Sequence, residues 1–330
     1  MSTSTQMPLT VLITGANGFL GRAVLRALRQ HPQRIANLLA LDIRQPASDH
    51  RQPGVEYLTL DIRSPDMADL LQQHVVDVVV HLATIMPGRR KNERELAYSV
   101  DVLGTRHLLD ACVVSGVRQF IYTSSGAAYG YHADNPPWLS ESDPLRGNAD
   151  FAYAHHKRLV EDMLADYRRS YPQLKQLIFR PGTILGREVN SPISQFFEKS
   201  ILLGLTGSQS PFVFIWDEDV AQCIVKGILE GKSGIYNLAG DGALPLPQLA
   251  KLMGKPYLAL PAGLVRAALW LLRRLRLTQY GPEQVDFIRY RPVLSNQRLK
   301  EEFGYTPRFT SEAAFLEFLR QRGLMRKEGH

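Results

Sequence analysis

Cysteine is scarce in this 330-residue chain, with only Cys112 and Cys223. A single pair in helix-like apolar contexts supports neither a disulfide framework nor CxxC metal spacing, so a reducing compartment is the simplest setting. No HExxH or His-partner spacing suggests a metal. The opening MSTSTQMPLTVLIT lacks a basic region and an apolar stretch of signal length. The most apolar later segment, Leu264 to Leu277, is interrupted by Arg266, Arg273, Arg274 and Arg276, which rules it out as a membrane span. A cytoplasmic location is expected. There is no internal repeat, low-complexity stretch or long linker.

The remaining composition is ordinary for a folded protein: 45% hydrophobic and 22% charged. Disorder is therefore excluded as a global description. Lys plus Arg number 39 against 32 Asp plus Glu, a formal charge of +7. That balance permits an anionic ligand or surface. The basic residues are dispersed and not interleaved with aromatics, so nucleic acid is not an expected partner.

The first half alternates strand and helix signals. Apolar runs at Leu9–Thr14, Leu38–Ile43, Val55–Leu60, Val75–Leu82, Gln119–Thr123 and Leu174–Phe179 read as strands. Helices are expected over Phe19–Arg29, Glu93–Ser115 and Phe151–Ser170. Apolar strands separated by helices indicate a parallel sheet covered on both faces. The expected fold is α/β, a Rossmann-type doubly wound parallel sheet with a smaller C-terminal substrate-binding lobe. The expected division is 1–182 and 183–330, with 212–238 able to pack back on the sheet.

Directly after the first strand comes Gly15-Ala16-Asn17-Gly18-Phe19-Leu20-Gly21, then a helix. Glycines there allow a tight turn and close approach to a pyrophosphate, which the helix N-terminus faces with free N–H groups. The spacing is GxxGxxG, and Asp42 ends the second strand. A carboxylate there accepts hydrogen bonds from an adenosine ribose and repels a 2′-phosphate, which favours NAD over NADP. Arg44, two residues on, could pair with such a phosphate. Gly227 to Ser233 has a P-loop flavour, but the spacing is one residue short and no strand precedes it.

Tyr153 and Lys157 stand at i and i+4 near the start of a helix, on one face. A lysine ammonium stabilises a phenolate, and lowering a tyrosine pKa from about 10 to about 7 takes roughly 4 kcal/mol. The phenolate could then take a proton from a substrate hydroxyl as hydride leaves the same carbon. Thr123-Ser124-Ser125-Gly126 ends the fifth strand at the carboxyl edge, where a serine can hydrogen-bond the reacting oxygen. Each element alone has a bland reading as a solvated helix face or a loop cap. Their order with the glycine turn is far less common.

The chain resembles extended short-chain dehydrogenases/reductases of the NAD-dependent epimerase/dehydratase type over nearly its whole length. The resemblance rests on TGANGFLG (Thr14 to Gly21), LDIR (Leu60 to Arg63), HLA (His81 to Ala83), the GT of VDVLGT, YTSSGAAYG (Tyr122 to Gly130), Tyr153/Lys157, RPG (Arg180 to Gly182), DEDVA (Asp217 to Ala221) and FGYTP (Phe303 to Pro307). It implies Ser125 as catalytic serine, Tyr153 as base, and Lys157 on the ribose hydroxyls. Cofactor contacts are implied at Gly15, Asn17, Gly18, Phe19, Leu20, Gly21, Asp42, Asp61, Ile62, Leu82, Ala83, Thr84, Ser124 and Pro181. Asp61 and Ile62 would flank adenine, and Pro181 would approach the nicotinamide. Substrate contacts are expected from Met86, Ser125, Thr183 and Arg187. A homodimer through the two long helices is implied as well.

Several positions depart from sugar-nucleotide members. Thr183 stands where RPxN has asparagine, Ser210-Pro211 where Arg-Asp is common, and Asp101 where NVxGT has asparagine. Arg187 and Arg291 remain candidates for a diphosphate, each set against a plain surface ion pair. His155 and His156 read as exposed or as dimer contacts, and His81 as a strand-end packing residue. Leu264–Leu277, with Trp270, reads as a packed helix with snorkelling arginines, in preference to a contact with an anionic membrane. The leading functional expectation is transient oxidation of a nucleoside-diphosphate sugar by bound NAD, leading to epimerisation or dehydration. The alternative is net NAD(P)-dependent reduction or oxidation of a lipophilic ketone or hydroxy compound, sterol- or polyketide-like. A nucleotide sensor without turnover would not need Ser125, Tyr153 and Lys157.

Overall fold

The computed structural model describes residues 7–85, 91–278 and 281–324. Strands alternating with helices build the sheet, except that a short 3₁₀ turn (Ser48–His50) joins the second strand to the third. Strands β1 (Leu9–Thr14), β2 (Ile35–Asp42), β3 (Glu56–Thr59), β4 (Val78–His81), β5 (Gln119–Thr123) and β6 (Lys175–Pro181) pair in parallel, and β10 (Gly234–Leu238) closes one edge. The order is β10-β6-β5-β4-β1-β2-β3. The chain reverses direction of winding between β1 and β4, which opens a crevice outside their carboxyl ends.

Two compact units divide the chain. The first comprises residues 1–124, 156–180 and 217–236. Its interior is mainly aliphatic: Leu12, Leu39, Val79 and Ile178 from the strands, with Phe120, meet Leu108, Leu109 and Cys112 of α4 (Thr105–Val114) and Val160 and Leu164 of α5 (Ala152–Ser170). Helix α1 (Phe19–Leu28) contacts α7 (Asp217–Leu229), so the 217–236 segment belongs with the sheet. Gly227 sits in α7 because a Cβ there would fall 2.3 Å from Leu177 Cδ2.

The second unit comprises residues 125–155, 181–216 and 237–330. It holds two parallel strand pairs, β7 (Thr183–Leu185) with β9 (Phe214–Trp216) and β8 (Leu202–Leu205) with β11 (Tyr257–Leu260). Its core is aromatic. Phe197 of α6 (Pro192–Glu198) and Phe214 pack on Phe315 of α12 (Ser311–Arg322), the last two rings stacked at 5.3 Å. Buried Ser311 ties this core together: its Oγ accepts from Phe214 N at 3.1 Å and donates to Gly240 O at 3.0 Å.

Three expectations need correcting. The helix expected over Glu93–Ser115 is not continuous. It runs as α3 (Lys91–Tyr98), a π-helical turn (Ser99–Gly104) and α4. The widened turn lets Thr105 Oγ1 donate back to Asp101 O at 2.6 Å while the Asp101 side chain turns inward. The fourth strand starts at Val78 and not Val75, because Val75 takes φ 48° in a turn. Finally, α9 (Ala262–Arg274) is not a packed helix: none of its residues is buried.

Candidate active site

The glycine turn is shaped by contact, and two of its glycines, Gly15 and Gly21, have no room for side chains. Gly15 takes φ +68°, and a Cβ on it would lie 2.7 Å from Ala83 N. A Cβ on Gly21 would lie 2.6 Å from both Gly15 O and Ala16 O. The turn therefore folds against the segment Leu82–Ala83 that leaves β4, at the crevice of the sheet. Gly18 caps α1 without a side-chain hydrogen bond, and the first turn of α1 carries no acidic residue. That terminus suits an anion.

Asp42, at the end of β2, accepts a hydrogen bond from Asn17 N through Oδ2 at 3.0 Å. Asn17 Nδ2 in turn donates to Arg44 O at 2.6 Å, and Arg22 donates to Asn17 O at 2.5 Å. The glycine turn and the end of β2 are thus locked together. Among the described residues Asp42 Oδ1 accepts no hydrogen bond and remains available to a ribose hydroxyl. These groups border a cleft of about 430 Å³ that Arg22, Arg44 and Tyr57 also line. The residues present fit an adenosine diphosphate: a tight glycine turn, an uncapped helix terminus and a carboxylate at the ribose position.

Other expected cofactor residues are placed as follows. Phe19 and Leu20 open α1, with Leu20 buried. Asp61 is half-exposed and grips Arg63 by two contacts, at 2.6 and 2.9 Å, and this guanidinium holds its carboxyl below the usual range. Ile62 is buried against the π-helical turn, where Gly104 lets the backbone approach its Cδ1. Ala83 N donates weakly to Thr14 Oγ1 at 3.4 Å, and Thr84 is exposed. Ser124 is buried, and its hydroxyl donates to Glu161 Oε1. Pro181 ends β6 and is buried.

Lys157 is buried in the first unit. Its Nζ donates to Tyr122 OH and Thr123 O, both at 3.0 Å, and lies 4.7 Å from the Tyr122 ring centre. Burial lowers its pKa to about 8, against the pull of the Asp101 and Glu161 carboxylates. Three further polar groups on the same side of the sheet were not identified as a set from sequence. Asp101 Oδ2 pairs with His156 Nδ1 at 3.3 Å, both buried. Asp101 Oδ1 accepts from Ile85 N at 2.9 Å and Thr84 Oγ1 at 3.1 Å. His81 bridges Thr14 Oγ1 at 2.7 Å and Thr105 Oγ1 at 2.9 Å, and burial pushes its pKa down to about 3. His156 is therefore not exposed, contrary to expectation. The departure of Asp101 from the family asparagine was visible in sequence, but its partner on a helix far along the chain was not.

In the second unit, Ser125 Oγ accepts from Ala127 N at 3.1 Å and so caps a short 3₁₀ turn, Gly126–Tyr129. Its hydroxyl hydrogen is uncommitted by that contact. Tyr153 is half-buried beside Phe151, with centroids 6.1 Å apart. Phe151 in turn packs on Phe287 at 4.8 Å and Tyr131 at 5.6 Å. Tyr131 and Phe287 line a second cleft of about 280 Å³ with Asp150, Glu283 and Asp286. Thr183 is half-buried in β7, and Arg187 is exposed with no ion pair among the described residues. Arg291 lies over the Phe212 ring at 3.9 Å. Met86 lies outside the described residues.

Comparison with known proteins bears on this arrangement. The model of the NAD dependent epimerase/dehydratase family matches residues 11–239. An uncharacterised Mycobacterium tuberculosis protein is 27% identical over 322 residues, covering 97% of this chain and 85% of the relative. UDP-glucose 4-epimerase of Erwinia amylovora is 30% identical over 182 residues, covering 52% of each. Among solved structures, Thermus thermophilus UDP-glucose 4-epimerase in complex with NAD superposes with a TM-score of 0.74 at 23% identity, covering 96% of this chain and 99% of that one.

Proposed function

The chain belongs to the NAD dependent epimerase/dehydratase family, and from that premise we propose that it acts on a secondary alcohol of a nucleoside-diphosphate sugar. NAD, when bound, accepts a hydride from the carbinol carbon and can return it. The protein supplies the proton chemistry and the positioning.

Tyr153 Oη takes the hydroxyl proton, and Ser125 donates its free hydroxyl hydrogen to the same substrate oxygen. Lys157, one helical turn beyond Tyr153 in α5, supplies a positive charge that favours the phenolate. Thr123 O and Tyr122 OH hold that ammonium in place, and the Asp101 and Glu161 carboxylates keep it protonated despite burial. Asp42 Oδ1 takes the adenosine ribose. Gly15, Asn17, Gly18, Phe19, Leu20 and Gly21 present the pyrophosphate to α1, with Leu82, Ala83, Thr84 and Pro181 bordering the cofactor. Thr183 and Arg187 face the substrate.

The observation that carries this reading is Lys157. A buried ammonium of α5 held by the last carbonyl of β5, one turn past a tyrosine, has a clear chemical use. UDP-glucose epimerases among the relatives and structural neighbours support the choice of substrate class. A homodimer through the two long helical stretches, Glu93–Ser115 and Phe151–Ser170, is part of the same proposal, supported by exposed Leu103 and Val114 on the first of them.

The test begins with mass spectrometry of nucleotide released on denaturation, followed by a nucleotide-sugar panel. Tightly held NAD, turnover of a nucleotide sugar and loss of turnover in Tyr153→Phe with NAD still bound are the expected results. An exchangeable site that prefers NADPH, with turnover only of lipophilic ketones, would overturn the substrate class.

A further inference from the structure

Helix α9 presents its apolar face in the wrong direction for a core element. Successive residues turn by about 100°. Leu264, Ala268, Leu271 and Leu275 therefore form one stripe at i, i+4, i+7 and i+11. That stripe is the face turned to solvent: Leu264 is 61% exposed, Leu271 50% and Leu275 56%. Trp270, about a third of a turn around the helix from that stripe, is also 58% exposed. The half-buried residues are Ala262, Val265 and Leu269 on the other side.

Ion pairs anchor that other side to the unit. Arg266 pairs with Asp286 at 2.6 Å, and Arg273 with Glu283 at 3.2 Å. Arg274 and Arg276 have no partner among the described residues. No acidic residue occurs between 262 and 278. The strand pair leading into α9 also carries Leu203 opposite Leu258, each 49% exposed.

We propose that α9 is an interfacial helix by which the protein binds the surface of an anionic lipid bilayer. The leucine stripe and Trp270 enter the headgroup boundary, and Arg274 and Arg276 meet anionic headgroups. The occupant follows from charge complementarity. A second copy would bring two like-charged helices together with no acid to offset them, and a bilayer of anionic lipid offsets both arginines. No helix among the described residues is long and apolar enough to cross a membrane, so this is surface contact only. The inference is independent of the substrate proposed above.

The experiment is cosedimentation of the full chain with vesicles of phosphatidylcholine alone or with one-third phosphatidylglycerol, at low and high salt. Binding should be at least tenfold stronger to the anionic vesicles and fall with salt. Arg274→Gln with Arg276→Gln should weaken it by about fivefold per arginine. Leu271→Asp with Leu275→Asp should abolish it, with circular dichroism and NAD affinity unchanged because neither side chain is part of the buried core. Absence of binding to either vesicle, or binding unaffected by the leucine changes, overturns the proposal. So does a chain that elutes as a dimer and becomes a monomer on Leu271→Asp with Leu275→Asp, which would assign the face to self-association.

Discussion

Removing Glu161 should strip a buried, permanently charged guanidinium of a carboxylate that grips it through three hydrogen bonds. Arg180 Nη2 donates to Glu161 Oε2 at 2.7 Å and Nε to both oxygens at 3.0 Å, with the two side chains 4% and 2% exposed. Ser124 donates to the same carboxylate, so Glu161 of α5 ties the carboxyl ends of β5 and β6. Arginine does not escape by losing its proton. Glu161→Leu should therefore cost about 3–5 kcal/mol, the range for breaking a buried pair. That corresponds to roughly 6–20 °C in midpoint for a unit of this size. Adding Arg180→Met removes both charges together. The double variant should recover to within about 1–3 kcal/mol of the parent, since the orphaned Ser124 hydroxyl is among the losses that remain. The assay is thermal unfolding by circular dichroism at pH 7, compared by midpoint because a chain of two units is not strictly two-state. Additive effects of the two changes to within about 0.5 kcal/mol would refute the reasoning. So would a Glu161→Leu midpoint within 2 °C of the parent, about 1 kcal/mol or less.

Further outcomes are expected from the same geometry. Lys157, with its pKa near 8, is cationic below that pH and neutral above it, so turnover should fall on an alkaline limb near pH 8. Asp101→Asn removes a carboxylate that favours the ammonium, so the limb should move to lower pH; a limb unmoved or raised would contradict the assignment. His81, pushed down to about 3, should show neutral-imidazole nitrogen shifts throughout a titration from pH 5 to pH 9. A titration midpoint between those limits would show that its two threonine contacts do not bury it as described. Gly21→Ala should lower both the unfolding midpoint and NAD affinity, because its Cβ has only 2.6 Å to two carbonyl oxygens. Gly263→Ala, with open space around it, should instead stabilise by about 0.4–1 kcal/mol, and a loss there would count against the glycine argument.

The contrast between Glu161 and the glycine turn shows where sequence reasoning reached. The order of strands and helices in the first half was legible because each depends on neighbours within a few residues. A run such as LTVLIT, six residues long and closed by turn residues, is too short for a helix and reads as a doubly buried strand. GxxGxxG after such a strand, Asp42 at the end of the next, and Tyr153 with Lys157 four apart are spacings along one element. Local geometry turns such spacings directly into positions in space.

Contacts between distant segments were not legible. Asp101 and His156 stand 55 residues apart, and neither residue type announces the other. Their pairing exists because a π-helical turn rotates Asp101 inward under the first turns of α5. The Glu161–Arg180–Ser124 cluster likewise depends on which helix the sheet places over which strand ends. For Leu264–Leu277 the sequence read as a packed helix with snorkelling arginines, but which face of that helix is covered is a property of docking. Sequence by itself determined the elements, the turn and the local spacing of the chemical groups, since these follow from backbone sterics and side-chain period. Only the tertiary structure decided which buried charges meet and which leucines face water, since both depend on where separate elements come to rest against one another.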